Sequence, residues 1–136
     1  MTKNKNNTSV WNTRIKKSSS LFQKVGSSIS FDKRLFKEDI QASIAHVEML
    51  FNKKIITFKV KNKIIFGLNR IRNEIVKKKY KFDNKDEDIH MSIEKRLFEI
   101  IGEDAGYVHT ARSRNDQVIT DLKLWMIKST NEIIKL

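Results

Sequence analysis

Apolar residues recur along most of this 136-residue chain at steps of three to five, the period of one face of an α-helix. From Ser30, the stretch SFDKRLFKEDIQASIAHVEMLF puts Phe31, Leu35, Phe36, Ile40, Ile44, Val47 and Phe51 on such a stripe. Ser30 is the expected N-cap, and Asp32 complements the positive end of the helix dipole. A second helix is predicted to start after Thr57, with Val60, Ile64, Ile65, Leu68, Ile71 and Ile75 on one face. Its neighbourhood IITFKV reads as a strand in isolation, but the helical period continuing beyond it decides for helix. KKKYKFDNKDE is a connector. A third helix follows in DEDIHMSIEKRLFEIIG, where Ile89, Ile93, Leu97 and Ile100 form the stripe. Asp86, Glu87 and Asp88 crowd its positive end, and Gly102 is the expected C-cap. EDAGYVHTARSR is predicted to be a loop. A fourth helix begins near Asn115, with Val118, Leu122, Trp125 (or Met126) and Ile133 along one face. It meets no Gly or Pro before Leu136, so the pattern reads as cut short mid-helix.

Composition agrees with an all-α class. Proline is absent and only four glycines occur, too few breakers for a turn-rich β fold. Without cysteine there is neither a disulfide framework nor a thiolate metal site. His46, His90 and His109 show no HExxH-like spacing, so no metal is expected. No apolar run is long enough to span a membrane, and MTKNKNNTSVW lacks the apolar core of a signal peptide. The expected location is cytoplasmic. Residues 1–20 are polar, basic and aperiodic, the mark of a flexible arm, with Trp11 as the side chain expected to dock.

The net charge of +12 invites a nucleic-acid partner. Its distribution argues otherwise. Residues 1–82 carry 20 Lys and Arg against 5 Asp and Glu, whereas residues 83–136 carry 8 against 11. The excess is scattered lysine rather than a basic stripe. Lys, Ile and Asn share AT-rich codons, which explains the bias without a polyanion. Neither nucleic acid nor membrane is expected as a partner.

Three polar clusters stand out. In HTARSRNDQV, Ser113, Asn115 or Asp116 suffices to cap a helix, and Arg112 and Arg114 suit surface ion pairs. The same residues also suit anion capture. N–H groups at a helix N-terminus favour negative charge, and an arginine fork matches a carboxylate bidentately. In DEDIH, the acids serve the helix dipole, and His90 shares a face with Glu94 at i and i+4. In VGSSISFD, two serines precede a helix, and Gly26 permits close approach of a ligand. No glycine-rich nucleotide loop occurs.

DEDIHMSIEKRLFEIIG followed by GYVHTARSRNDQVITDLKLWM resembles the N-terminal third of the argininosuccinate lyases, in the fumarase/aspartase superfamily. SSISFDKRLFKEDIQASIAHVEML is similar to that family's first helix. WNTRI stands where the family usually has Trp-Gly-Gly-Arg-Phe; Trp11 and Arg14 remain, but both glycines are replaced. The resemblance implies an N-terminal helical domain over 21–112 and the start of a central-bundle helix over 113–136. It implies elimination of fumarate from argininosuccinate by a homotetramer, as the last step of arginine biosynthesis, with no cofactor. Ser28 and Asn115 would bind substrate, with Arg114 on a carboxylate. Thr110, Ser113 and His90 would lie in or near the pocket, and Asp88 would orient a partner. The family's enzymes are roughly three times longer. Their general base and acid lie in later segments, so no catalytic residue is expected here and the segment alone should be inactive. Other superfamily lyases, acting on adenylosuccinate or aspartate, and a non-catalytic helical relic remain open at this point.

Overall fold

The computed structural model describes residues 25–136; the expected N-terminal arm, Trp11 and Arg14 lie outside them. The described residues form four long helices and no strand: α1 (Phe36–Asn52), α2 (Phe58–Val76), α3 (Ile89–Ile101) and α4 (Arg114–Ile134). Local chemistry sets the starts. Thr57 Oγ1 accepts the Val60 N–H at 3.3 Å, and Asp88 accepts the Met91 N–H at 2.6 Å. At α4, Ser113 Oγ accepts the Asn115 N–H at 3.2 Å while the Asp116 carboxylate accepts the Ser113 N–H at 3.1 Å, a reciprocal cap. Gly102 closes α3 at a φ of 72°, where other residues are strained.

α1 packs on α2 and α4, and α3 packs on α2. The core joins Ile40, Val47 and Leu50 of α1, Ile64, Leu68 and Ile71 of α2, and Ile89, Ile93, Leu97 and Ile101 of α3. Each such side chain contributes about 1.5–3 kcal/mol on full burial. α2 and α3 therefore follow their expected stripes, with Ile100 packed at the margin of the core. Gly67 lets these two helices approach. A Cβ there would collide with Leu97 Cδ1 and press on Ile101.

Three expectations are corrected. The first helix is not continuous from Ser30. A turn of helix at Ile29–Asp32 and a 3-10 turn at Lys33–Leu35 precede α1. Ser28, not Ser30, occupies the cap position, and its hydroxyl donates to the Asp32 carboxylate at 2.5 Å. Phe31 falls off the stripe and is exposed. The expected loop after Gly102 is a 3-10 helix over Gly102–His109. Its buried residues Ala105 and Val108 stand three apart, which is the 3-10 period. Finally, α4 turns its apolar stripe outward: Val118, Leu122, Trp125, Met126 and Ile133 are exposed. The face that meets α1 carries Gln117 and Asp121, both fully buried.

Gly67→Ala tests the close approach. Alanine favours a helix by about 1 kcal/mol, but overpacking a filled core costs about 1–3 kcal/mol, and Leu97 is fully buried. The variant is expected to unfold at lower urea concentration than the wild type. An equal or higher midpoint contradicts this packing.

Candidate functional site

Polar residues at helical spacing line the seam where α4 meets the rest of the fold. α1 supplies Asp39, Ser43 and His46, at i, i+4 and i+7. α3 supplies His90 and Glu94, at i and i+4. α4 supplies Arg114, Gln117 and Asp121, at i, i+3 and i+7. Arg112, just before α4, donates to Ser43 Oγ at 3.0 Å, and His46 Nε2 bonds the Thr110 carbonyl at 2.9 Å. Between these two anchors, Ala111 takes a φ of 53°, a left-handed conformation costly for a residue with a Cβ. Two tethers to α1 hold that turn.

Arg114 opens α4. Its guanidinium holds Glu94 bidentately, at 3.0 and 3.1 Å, and donates to Gln117 Oε1 at 2.9 Å. Its Nε stands 3.4 Å from Asp88 Oδ2. Across from it, the Ser28 N–H donates to the Glu87 carbonyl at 2.8 Å, which ties the serine turn to the start of α3. Burial pushes the Asp32 carboxyl up, against the lowering effect of the Ser28 hydrogen bond. Asp88 and His90 both act on Asp32 electrostatically.

The deepest polar group is Asp39–His90–Asp121, one residue from each of α1, α3 and α4. His90 Nδ1 bonds Asp39 Oδ1 at 2.8 Å and stands 3.6 Å from Asp121 Oδ2. All three are buried. Burial alone would lower the His90 pKa; the hydrogen bond and charge of Asp39, helped by Asp88 and Asp121, outweigh it and the shift is upward. Burial, then the charge of Asp39, push Asp121 up to about 7, against His90 and Arg112. Among the described residues neither Asp121 oxygen has a hydrogen-bond partner, a costly state for an ionised carboxylate. The three donors lie within 4.8 Å of one another, a set of the kind that binds metals. The Nδ1–Oδ1 separation of 2.8 Å is that of a hydrogen bond. Two atoms ligating one tetrahedral ion at about 2.1 Å would stand about 3.4 Å apart.

Of the residues singled out in the sequence, Ser28, Asp88, His90 and Arg114 are thus linked through hydrogen bonds, an ion pair and shared electrostatics. Thr110 reaches α1 through its carbonyl, Ser113 is spent on the cap, and Asn115 is exposed. Sequence reasoning missed Asp32, Asp39 and Asp121 as members of the site, and Glu94 as the partner of Arg114. The i, i+4, i+7 and i, i+3, i+7 spacings of the polar residues on α1 and α4 were the available signal.

The sequence profile of the lyase family matches residues 13–136. The chain is 69% identical over 136 residues to the argininosuccinate lyase of Pelagibacter ubique, covering 99% of this chain and 29% of that protein. It is 52% identical over 129 residues to that of Campylobacter jejuni, covering 93% and 28%. With that of Ehrlichia canis it shares 50% over 125 residues, covering 91% and 26%. The chain spans less than a third of the length of these curated relatives.

Asp121 makes the stability of the chain depend on pH. Its folded-state pKa of about 7 lies above the ordinary 3.8, so between these values the folded state binds more protons than the unfolded. Stability from this group therefore falls as pH rises from about 4 to 7. His90, also raised, adds a loss as pH climbs above 6.5 through its folded pKa. His46, lowered by burial, acts in the opposite sense below pH 6.5 in wild type and variant alike. Thermal unfolding at pH 5 and pH 7.5 should show wild type losing more stability than Asp121→Asn over that interval. Equal pH dependence of the two proteins contradicts the assignment.

Proposed function

The chain belongs to the lyase family, and from that membership we propose that it is the N-terminal part of an argininosuccinate lyase. The reaction is an elimination. A base takes a proton from the carbon beside a carboxylate, and the electron pair spreads into that carboxylate. The C–N bond then breaks and the nitrogen leaves protonated, giving arginine and fumarate. The barrier falls when fixed donors are aimed at the carboxylate that gains charge.

The observation that carries this reading is Arg114 at the first position of α4, beside Asp88 and ahead of Asn115. There a guanidinium fork and an exposed amide join the positive end of a 21-residue helix. Glu94 fills the fork bidentately in the free chain. A substrate carboxylate has the same shape and charge, and in this proposal it takes the place of Glu94. Ser28 and Asn115 bind substrate, Thr110, Ser113 and His90 lie in or near the pocket, and Asp88 orients a partner group. The general base and acid are assigned to regions that the longer relatives possess beyond the matched part.

The outward apolar face of α4 supports an assembly. Residues 21–112 are assigned to the N-terminal domain and 113–136 to the start of a central-bundle helix, whose exposed Ile119, Leu122 and Met126 pack against other copies in a homotetramer. An exposed apolar stripe of this kind marks a surface that is covered in use. Among the described residues no helix is long and apolar enough to cross a membrane, and the proposed setting is the cytoplasm.

A chimera tests the proposal. This segment replaces the matching part of the Pelagibacter ubique protein, with which it shares 69% identity. The chimera should release fumarate from argininosuccinate, whereas the 136-residue chain alone should not. Arg114→Ala or Asn115→Ala should lower kcat/KM by about 10²–10³-fold with the fold intact. A folded chimera that is inert, or variants with unchanged rates, contradicts the reading. Ile119→Glu with Met126→Glu should convert the chimera from a tetramer to smaller species in sedimentation; an unchanged tetramer removes α4 from the interface.

A further inference from the structure

The anion cradle does not account for the carboxylate buried against His90. Asp39 and His90 are on different helices, 51 positions apart, and both side chains are almost wholly buried. Burying a charged pair is costly unless its partners are fixed. We propose that Asp39 is the positioning residue for His90: it accepts the hydrogen bond from Nδ1–H, fixes the ring, keeps it cationic, and leaves Nε2 to serve the substrate. The part of this that concerns substrate rests on the proposed lyase function; the part that concerns the ring does not.

Three observations support it. A histidine whose Nδ1–H is held by a carboxylate has one tautomer and one orientation, and its imidazolium form is stabilised. The bonds from the two ring nitrogens diverge widely, so with Nδ1 given to Asp39 only Nε2 is left for chemistry. The electrostatics fit as well. His90 faces Asp39 from α1, Asp121 from α4, Asp88 from its own N-cap and Asp32 from the turn before α1. Glu38 and Arg112 in turn face Asp121. Asp121 has no hydrogen on His90 within bonding distance, since its nearer oxygen is 3.6 Å from Nδ1. It adds charge to the surroundings of His90 without bonding to it, while Asp39 supplies the bond.

Nitrogen-15 NMR of the 136-residue chain over a pH titration reads the state of the ring directly. His90 should lose its second proton only above pH 6.5 in wild type and in Asp121→Asn. In Asp39→Asn, whose amide oxygen still accepts a hydrogen bond but carries no charge, the His90 pKa should fall to 6.5 or below. A wild-type His90 that titrates at or below 6.5 overturns the proposal even where the variant fails to fold. So does an unchanged pKa in Asp39→Asn, or loss of the cation in Asp121→Asn instead. Uptake of zinc by the wild-type chain that Asp39→Asn abolishes would make the cluster a metal centre and overturn it too. In the chimera, Asp39→Asn should lower kcat more than it raises KM and move the alkaline limb of the rate profile to lower pH, with Asp39→Glu restoring the limb. A chimera inert on argininosuccinate defeats the functional reading, and the NMR result still decides the role of Asp39.

Discussion

The hydrogen bond between His90 Nδ1 and Asp39, sealed under α4 by Asp121, is the interaction on which the arrangement depends. It joins α1 to α3 through a polar part of the interior. Among the described residues, the fully buried side chains that α4 turns toward α1 are Gln117 and Asp121. Its docking therefore relies on polar partners: Arg112 on Ser43, the Thr110 carbonyl on His46, and Arg114 on Glu94 and Asp88. Hydrogen bonds are directional and a hydrophobic contact is not. A helix docked in this way has a defined rotation and height, so Arg114 arrives at the α3 cap in one register.

The same constraint explains why α4 is apolar outside. A helix that meets its own domain through polar groups has its apolar stripe left over for something else. In the proposed assembly that stripe meets other copies, and one helix then serves two surfaces. In that proposal its N-terminal residues complete a ligand site and its body builds a shared bundle. The two proposed roles do not compete, because Arg114 and Asn115 occupy the first turn and the apolar stripe runs from Val118 onward.

Much of this was legible in the residues. Thr57, Asp88, Ser113 and Gly102 mark helix ends by chemistry that acts within a few positions, and the stripes on α2 and α3 coincide with the core. What failed was decided at longer range. Periodicity shows that α4 has an apolar face but not whether the face is covered by its own chain. Asp39 and Asp121 escaped notice because carboxylates on helices usually face water. Their burial follows from a histidine 51 positions from one and 31 from the other, and no local rule reports such a partner. The break before α1 was hidden because Phe31 keeps the spacing of the stripe while the chain turns at Ser28 and Asp32. Of the residues expected at the site, Ser28, Asp88, His90 and Arg114 fall in one linked group, while the carboxylates of Asp39 and Asp121 behind them stayed hidden.

A buried polar seam holds Arg114 beside Asp88, and in the proposed function this fork takes a dicarboxylate together with Ser28 and Asn115. Titrating the isotope-labelled 136-residue chain with argininosuccinate, while following the Arg114 side-chain Nε–H and the backbone N–H of Ser28 and Asn115, tests it most directly. All three signals should move together along one saturating curve as the ligand displaces Glu94. Signals that stay fixed, or an Arg114 that remains on Glu94 while ligand binds elsewhere, would contradict it.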